Sequence, residues 1–177
     1  MRIALVTPAG PGTRNGNRHT AVRWAAFLRK AGYRVNVSVQ WAAGDGADAM
    51  LALHARRSHA SIKAFPRDKP LVVALTGTDV YRDIHQSAEA QESLEFAHRL
   101  IVLQPKAAEE LPAALRKKVR VVVQSASTSL RHRPVRGKFR VCVIGHLREE
   151  KDPFRTAAAR STPRRPSQPR QDSRCSA

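Results

Sequence analysis

Short apolar runs alternate with helix-like patterns along the first 123 residues. Residues 70–76 form a near-continuous apolar run bounded by turn residues, which is typical of a strand buried in a parallel sheet. Further strand-like runs lie at 2–7, 33–39, 49–54, 100–103 and 119–123. Helical spacing predicts helices over 20–30, 58–65, 84–98 and 107–115. This alternation predicts an α/β fold with a parallel, doubly wound, Rossmann-like sheet.

The composition changes after this region. Residues 125–138 form a polar linker, and the apolar run at 141–144 predicts a buried strand that begins another strand–loop–helix unit. From residue 156 onward there is no Leu, Ile, Val or aromatic residue, so this stretch cannot bury a core and is expected to be disordered. We therefore expect an N-terminal domain over 1–133, the start of an incomplete second domain over 134–155, and a basic tail over 156–177.

The tail also suggests a hypothesis about the reading frame. The helix that Pro153 is placed to open is abandoned after about two turns, where the composition becomes rich in Arg, Ser and Pro. We hypothesise that the natural reading frame is lost near residues 156–160. A genuine basic tail is the alternative.

The net charge of +18 predicts attraction to anions such as phosphates and nucleotide sugars. The excess is spread over many elements and is not concentrated in one stripe with interleaved aromatics, which argues against a specific nucleic-acid surface. A merely solvated basic surface explains the charge equally well. The sequence leaves these two interpretations of the charge open.

The cysteines and apolar segments place limits on compartment and ligands. Cys142 and Cys175 provide neither a disulfide framework nor a metal-binding spacing, which favours a reducing cytoplasm. No run approaches the roughly 18 apolar residues of a membrane-spanning helix. We expect a cytoplasmic protein with no metal, no cofactor and no membrane partner.

The segment 8–20, between the first predicted strand and helix, is rich in glycine and basic residues. Glycine permits close approach of the backbone to a ligand, and Arg or His side chains at a helix N-terminus favour an anion. The glycine spacing does not match a dinucleotide or Walker loop. The segment therefore predicts an anion-binding loop, with an ordinary flexible connection as the alternative. Its candidate residues are Gly10, Gly12, Arg14, Asn15, Gly16, Asn17, Arg18 and His19.

Two further segments follow predicted strands at the same edge of the sheet. Arg56 and Arg57 come after the third strand, where anion binding and simple solvation are about equally expected. Asp79 follows the fourth strand and is a candidate base or sugar-hydroxyl acceptor, or else the cap of the next helix. The carboxyl ends of parallel strands are where ligands bind in open α/β sheets.

Residues 141–153 predict a diphosphate grip. An apolar run leads to Gly145, where the backbone turns, and Arg148 and Lys151 follow three residues apart before a predicted helix. Free N–H groups, a helix dipole and two cations favour an anion at this point.

The segments 7–20, 54–58, 76–81 and 145–153 together resemble GT-B glycosyltransferases of the GT4 type, and most closely the selenosugar synthases of selenoneine biosynthesis. The resemblance implies the N-terminal Rossmann-like domain of a GT-B enzyme, followed by part of its donor domain. It implies transfer of a sugar from a UDP-sugar, for example UDP-N-acetylglucosamine, to selenophosphate. The first loop, Arg56 and Arg57 would bind substrate, with Asp79 and His19 as catalytic candidates. Gly145, Arg148 and Lys151 would hold the donor diphosphate.

The chain departs from this family where the donor domain should continue. The later strands and the glutamate-bearing segment that grips the nucleotide ribose are missing. We therefore expect weak binding of a UDP-sugar and slow turnover or none. The alternatives are an α/β binding module for an anionic small molecule and a basic protein associated with nucleic acid.

Overall fold

A six-stranded, all-parallel sheet forms the centre of the protein. The computed structural model describes residues 1–131, 133, 135–137, 142–144, 152, 154–155 and 158. The strands are β1 (Arg2–Val6), β2 (Arg34–Ser38), β3 (Ala49–Leu53), β4 (Leu71–Leu75), β5 (Arg99–Val102) and β6 (Val119–Val121). Their order across the sheet is β2-β1-β3-β4-β5-β6, and each neighbouring pair is parallel. The Rossmann-like α/β fold predicted from the sequence is confirmed.

The connecting helices cover the two faces of the sheet and create two apolar clusters. The helices are α1 (Gly16–Lys30), α2 (His59–Ala64), α3 (Ile84–Gln86) and α4 (Ala88–Phe96). On one face, Ala21 and Ala25 of α1 pack on Leu5 and Leu53. On the other face, α2 and α4 help to bury the larger cluster. Both faces of the inner strands are apolar because both are covered, as a parallel sheet requires.

Several predicted helices differ from those in the structure. α1 begins at Gly16, four residues earlier than predicted, because the Asn15 side chain caps it by accepting the N–H of Arg18 at 3.0 Å. The predicted helix over 84–98 is two separate helices, α3 and α4, with Ser87 between them, and a π-helical turn, Asp79–Asp83, precedes them. The predicted helix over 107–115 was wrong. Two 3₁₀ turns, Pro105–Ala108 and Ala113–Lys118, occupy that connection, since Pro112 cannot donate a helical hydrogen bond.

The chain divides into two compact units, Met1–Ser127 and Thr128–Ala177. In the second unit, the strand predicted at 141–144 is absent from the described residues 142–144, and Val143 and Ile144 are exposed. An apolar run forms a buried strand only when neighbouring strands and a covering layer are available, and none pairs with it among the described residues. Cys142 is consequently exposed as well. Arg155 Nε donates to Asp152 Oδ2 at 2.6 Å beside a short helical turn.

Candidate functional site

The carboxyl edge of the sheet near β1 and β3 is the candidate site. The chain leaves β1 to form β2 on one side and then returns to form β3 on the other side of β1. This reversal of direction is the switch point at which parallel α/β sheets bind ligands, because the loops after the two strands diverge there. The loop after β1 and the segment His54–Ser58 after β3 both begin at this edge. The topology therefore brings together the segments predicted from the sequence.

The loop after β1 is shorter than predicted and contains one tight turn. The Thr13 hydroxyl donates to the Gly10 carbonyl at 2.8 Å, and Gly12 has a φ of 82° within that turn. This backbone conformation favours glycine, so Gly12 is needed for the turn itself. Thr7, the residue after β1, is fully buried, and its hydroxyl has no hydrogen-bond partner in the part of the chain that the structure describes.

Four of the remaining candidates of this segment lie in the first turn of α1 and not in a loop, whereas Arg14 and Asn15 precede the helix. Gly16, Asn17, Arg18 and His19 are helical. Arg14 and His19 are exposed and Arg18 is half-buried, so their side chains are accessible at the N-terminus of α1. The positive end of the helix dipole and these cationic or hydrogen-bonding side chains favour an anion there.

Asp79 connects the loops after β3 and β4. It is completely buried, and its Oδ1 accepts the N–H groups of Thr76 at 2.9 Å and Gly77 at 2.8 Å. Its Oδ2 accepts the N–H of Ala55 at 3.2 Å. The bonded N–H groups precede Asp79 or belong to another loop, so the carboxylate is not a helix cap. This geometry makes Asp79 a positioning residue for the two loops, and no face of it is open to a substrate.

His54 ends β3 in an unusual backbone conformation. Its φ is 75°, which is uncommon for a residue with a side chain, and only 3% of its surface is exposed. Its Nδ1 accepts the N–H of Arg57 at 3.4 Å, which assigns the proton of the neutral ring to Nε2. Nε2 lies 3.4 Å from the Thr78 hydroxyl and 3.8 Å from Asp83 Oδ2. His54 thus turns the chain so that the two following arginines lie at the candidate site.

Arg56 and Arg57 differ in how they are held. Arg56 Nε donates to Asp83 Oδ2 at 3.0 Å, while the side chain remains 39% exposed. Arg57 is exposed, and within the described residues its side chain makes no hydrogen bond or ion pair. The structure therefore supplies one oriented guanidinium, that of Arg56, and one exposed guanidinium, that of Arg57, after β3.

Asp83, Tyr81 and Gln104 were not predicted from the sequence as residues of the site. Asp83 was missed because it lies just before the helix predicted over 84–98, outside the segments singled out from the sequence. Tyr81, 47% exposed, accepts a hydrogen bond from the Gln104 side chain at 2.6 Å and so links the loops after β4 and β5. The π-helical turn that carries Asp83 and Tyr81 has no distinct sequence signal, although such turns are frequent at functional sites.

The predicted diphosphate grip, Gly145, Arg148 and Lys151, lies outside the described residues. Its place in the site therefore stays a prediction.

Two cavities lie away from the candidate edge. One of about 230 Å³ is lined by the amino-terminal halves of β1 and β2 together with Trp41. The other, of about 270 Å³, is mainly apolar and lies between α1 and the sheet beside Leu51 and Ile101. Neither cavity is lined by the candidate residues of this edge.

Burial of His54 predicts a dependence of stability on pH. Desolvation lowers the pKa of His54 below its ordinary value of 6.5; Asp79 and Asp83 oppose this and the guanidinium groups of Arg57 and Arg56 add to it. Below pH 6.5 the unfolded chain then binds more protons than the folded protein. The contribution of neutral, buried His54 to stability is therefore fully present above pH 6.5 and is lost as the pH falls towards the pKa of the folded state.

His54→Asn tests this dependence, because asparagine tolerates the positive φ and does not titrate. As the pH falls from 7.5 to 5, the free energy of unfolding of the wild type should fall relative to that of the variant. The change should not exceed about 1.4 kcal/mol per pH unit, the limit for one proton. Urea unfolding at several pH values measures it, and a difference that is constant with pH would contradict the assignment.

Within the described residues, no group of three or more His, Cys, Asp or Glu side chains is arranged to hold a metal ion. No helix in this part of the chain is long and apolar enough to cross a membrane. The sequence matches no protein-family model, and no curated protein is significantly similar to it.

Proposed function

We propose that this chain is a cytoplasmic, glycosyltransferase-like protein that transfers a sugar from a UDP-sugar to selenophosphate. The observation that carries the proposal is the meeting of two basic segments at the switch point of a Rossmann-like sheet. Arg14 and Arg18 follow β1, and Arg56 and Arg57 follow β3, so four arginines belong to segments that begin at the same edge of the sheet. In this proposal, unit Met1–Ser127 binds the anionic acceptor.

The residues of this edge suit a nucleophile that is already anionic. Selenium of selenophosphate would attack the anomeric carbon, a carbon–selenium bond would form, and the bond from that carbon to the UDP oxygen would break. UDP leaves with the electron pair, and no proton has to be removed from the nucleophile. Asp79 and Asp83, the two carboxylates that contact the loop after β3, are both buried and already bonded, so neither is available as a base.

The donor side of the proposal depends on sequence alone. Gly145, Arg148 and Lys151 would neutralise the charge that develops on the leaving diphosphate, which is the main electrostatic task of such a transfer. UDP-N-acetylglucosamine is the donor that the resemblance to selenosugar synthases suggests.

Binding and turnover test the proposal separately. Under anaerobic conditions we expect selenophosphate to bind the chain at one site and inorganic phosphate to compete for it. UDP release from UDP-N-acetylglucosamine should be slow and should require selenophosphate. A chain that neither binds selenophosphate nor releases UDP in its presence would overturn the proposal, and rapid release would contradict the expected weakness of the donor side.

A binding module for an anionic small molecule is the second candidate, because the acceptor edge lies within one compact unit. Selenophosphate binding without any UDP-sugar binding would favour it. Binding of polynucleotides that falls steeply with salt would instead favour association with nucleic acid.

A further inference from the structure

We infer that Asp83 is a positioning residue that orients Arg56 as a two-pronged donor to an oxyanion. The inference deepens the proposed function, on which it rests for the identity of the anion as the acceptor. Asp83 is 4% exposed and is the last residue of the π-helical turn, whereas the Arg56 side chain is 39% exposed. A buried carboxylate thus holds an arginine that reaches the surface.

The contact uses only one edge of the guanidinium. Arg56 donates through Nε, at 3.0 Å, to Asp83 Oδ2. Among the described residues, no hydrogen bond involves the terminal nitrogens of Arg56. The two terminal nitrogens form the edge with which arginine binds two oxygens of a phosphate at once. The bond to Asp83 therefore fixes the plane of the group and leaves this recognition edge available.

Asp83 is itself held from more than one side. Its Oδ1 accepts from Arg82 Nε at 3.2 Å, and His54 Nε2 lies 3.8 Å from its Oδ2. His54 in turn accepts the N–H of Arg57. The carboxylate of Asp83 is consequently a second connection, beside that of Asp79, between the loop after β3 and the turn after β4, and its position does not depend on a ligand.

Charge and orientation predict opposite effects for the neutral variant Asp83→Asn. Removing a negative charge beside Arg56 makes the site more positive, so charge alone predicts tighter anion binding. Loss of orientation predicts weaker binding, because an Arg56 side chain that Asp83 no longer holds must lose conformational entropy when it binds the anion. The sign of the change distinguishes the two effects.

The experiment is titration of the full chain with inorganic phosphate by isothermal calorimetry, at constant ionic strength. We expect Asp83→Asn to weaken phosphate binding about tenfold and Arg56→Ala to weaken it at least as much. In the Arg56→Ala background, Asp83→Asn should cause no further weakening, since its effect acts through Arg56. Arg56→Lys keeps the charge but lacks the two terminal nitrogens that bind two oxygens at once. This variant should therefore also bind phosphate weakly, and adding Asp83→Asn should not change its affinity.

Each outcome decides the inference. Tighter or unchanged phosphate binding by Asp83→Asn overturns it. If Asp83→Asn weakens phosphate binding equally in the wild type and in the Arg56→Ala background, the effect is a general structural one, and the inference is also overturned. Thermal unfolding of the same preparations checks that each variant is folded. If Asp83→Asn is too unstable to titrate, the phosphate affinities of Arg56→Ala and Arg56→Lys still test the inference, and wild-type affinity in either variant would overturn it. A wild-type chain that does not bind phosphate also overturns the inference, whereas UDP release dependent on selenophosphate would still support the proposed function.

Discussion

Replacement of Asp79 by alanine is expected to lower the free energy of unfolding by about 3–5 kcal/mol, the range for losing one partner of a buried charged interaction. The carboxylate is completely buried and accepts N–H groups from two loops, those of Ala55, Thr76 and Gly77. Without it, each N–H loses its partner, at a cost of about 1–3 kcal/mol for each group that stays buried. Equilibrium unfolding in urea measures the change.

Asp45→Ala is the matched control for this prediction. Asp45 is exposed, and its carboxylate accepts one N–H, from Ala42 in its own loop, at 3.0 Å. Water replaces that partner in the variant, so the loss should stay below about 1 kcal/mol. A loss for Asp79→Ala no larger than that for Asp45→Ala would mean that Asp79 does not hold the two loops together. It would also reopen a direct catalytic role for this carboxylate.

The double variant Arg56→Ala/Arg57→Ala is expected to weaken phosphate binding about a hundredfold or more. Each guanidinium at the candidate edge can supply a charge-assisted hydrogen bond worth roughly 1.5–3 kcal/mol, and about 1.4 kcal/mol corresponds to a factor of ten. The loss should be larger at low salt, because screening reduces the contribution of exposed charges. Titration with phosphate at two ionic strengths measures both effects.

Lys30→Ala/Lys117→Ala is the control that removes the same charge elsewhere. Both lysines are exposed, and they lie at the end of α1 and just before β6, towards the amino ends of the strands. If the arginines act locally, this variant should bind phosphate almost as well as the wild type. Equal losses in the two double variants would show that net charge alone attracts the anion, and the candidate site would then be wrong.

The fold followed directly from patterns that are local in sequence. The run at 71–75 is apolar at every position because both faces of β4 are covered, and this composition is visible without any knowledge of its neighbours. The alternation of such runs with helical spacing then determines a parallel sheet. The position of the candidate site is a prediction made for the same reason, because strand-end loops of such sheets meet at one edge.

The lengths of the connecting helices were less predictable. Asn15 is a good helix cap, but it lies among glycines that also suit a loop, so the start of α1 was placed too late. The π-helical turn at Asp79–Asp83 differs from an α-helix by one residue per turn, and no side-chain preference marks it. The run at 141–144 is apolar enough for a strand, yet an apolar run becomes one only if other strands pair with it.

The sequence by itself determined the class of fold and the edge at which basic side chains gather, because hydrophobic periodicity and strand-end loops are local properties. Only the tertiary structure decided what those side chains do. Asp79 proved to be enclosed by backbone N–H groups from two loops, and Asp83 to hold Arg56. The contacts of Asp79 with Ala55 and of Asp83 with Arg56 join residues more than 20 positions apart. The burial that separates a structural carboxylate from a reactive one exists only after the strands have packed.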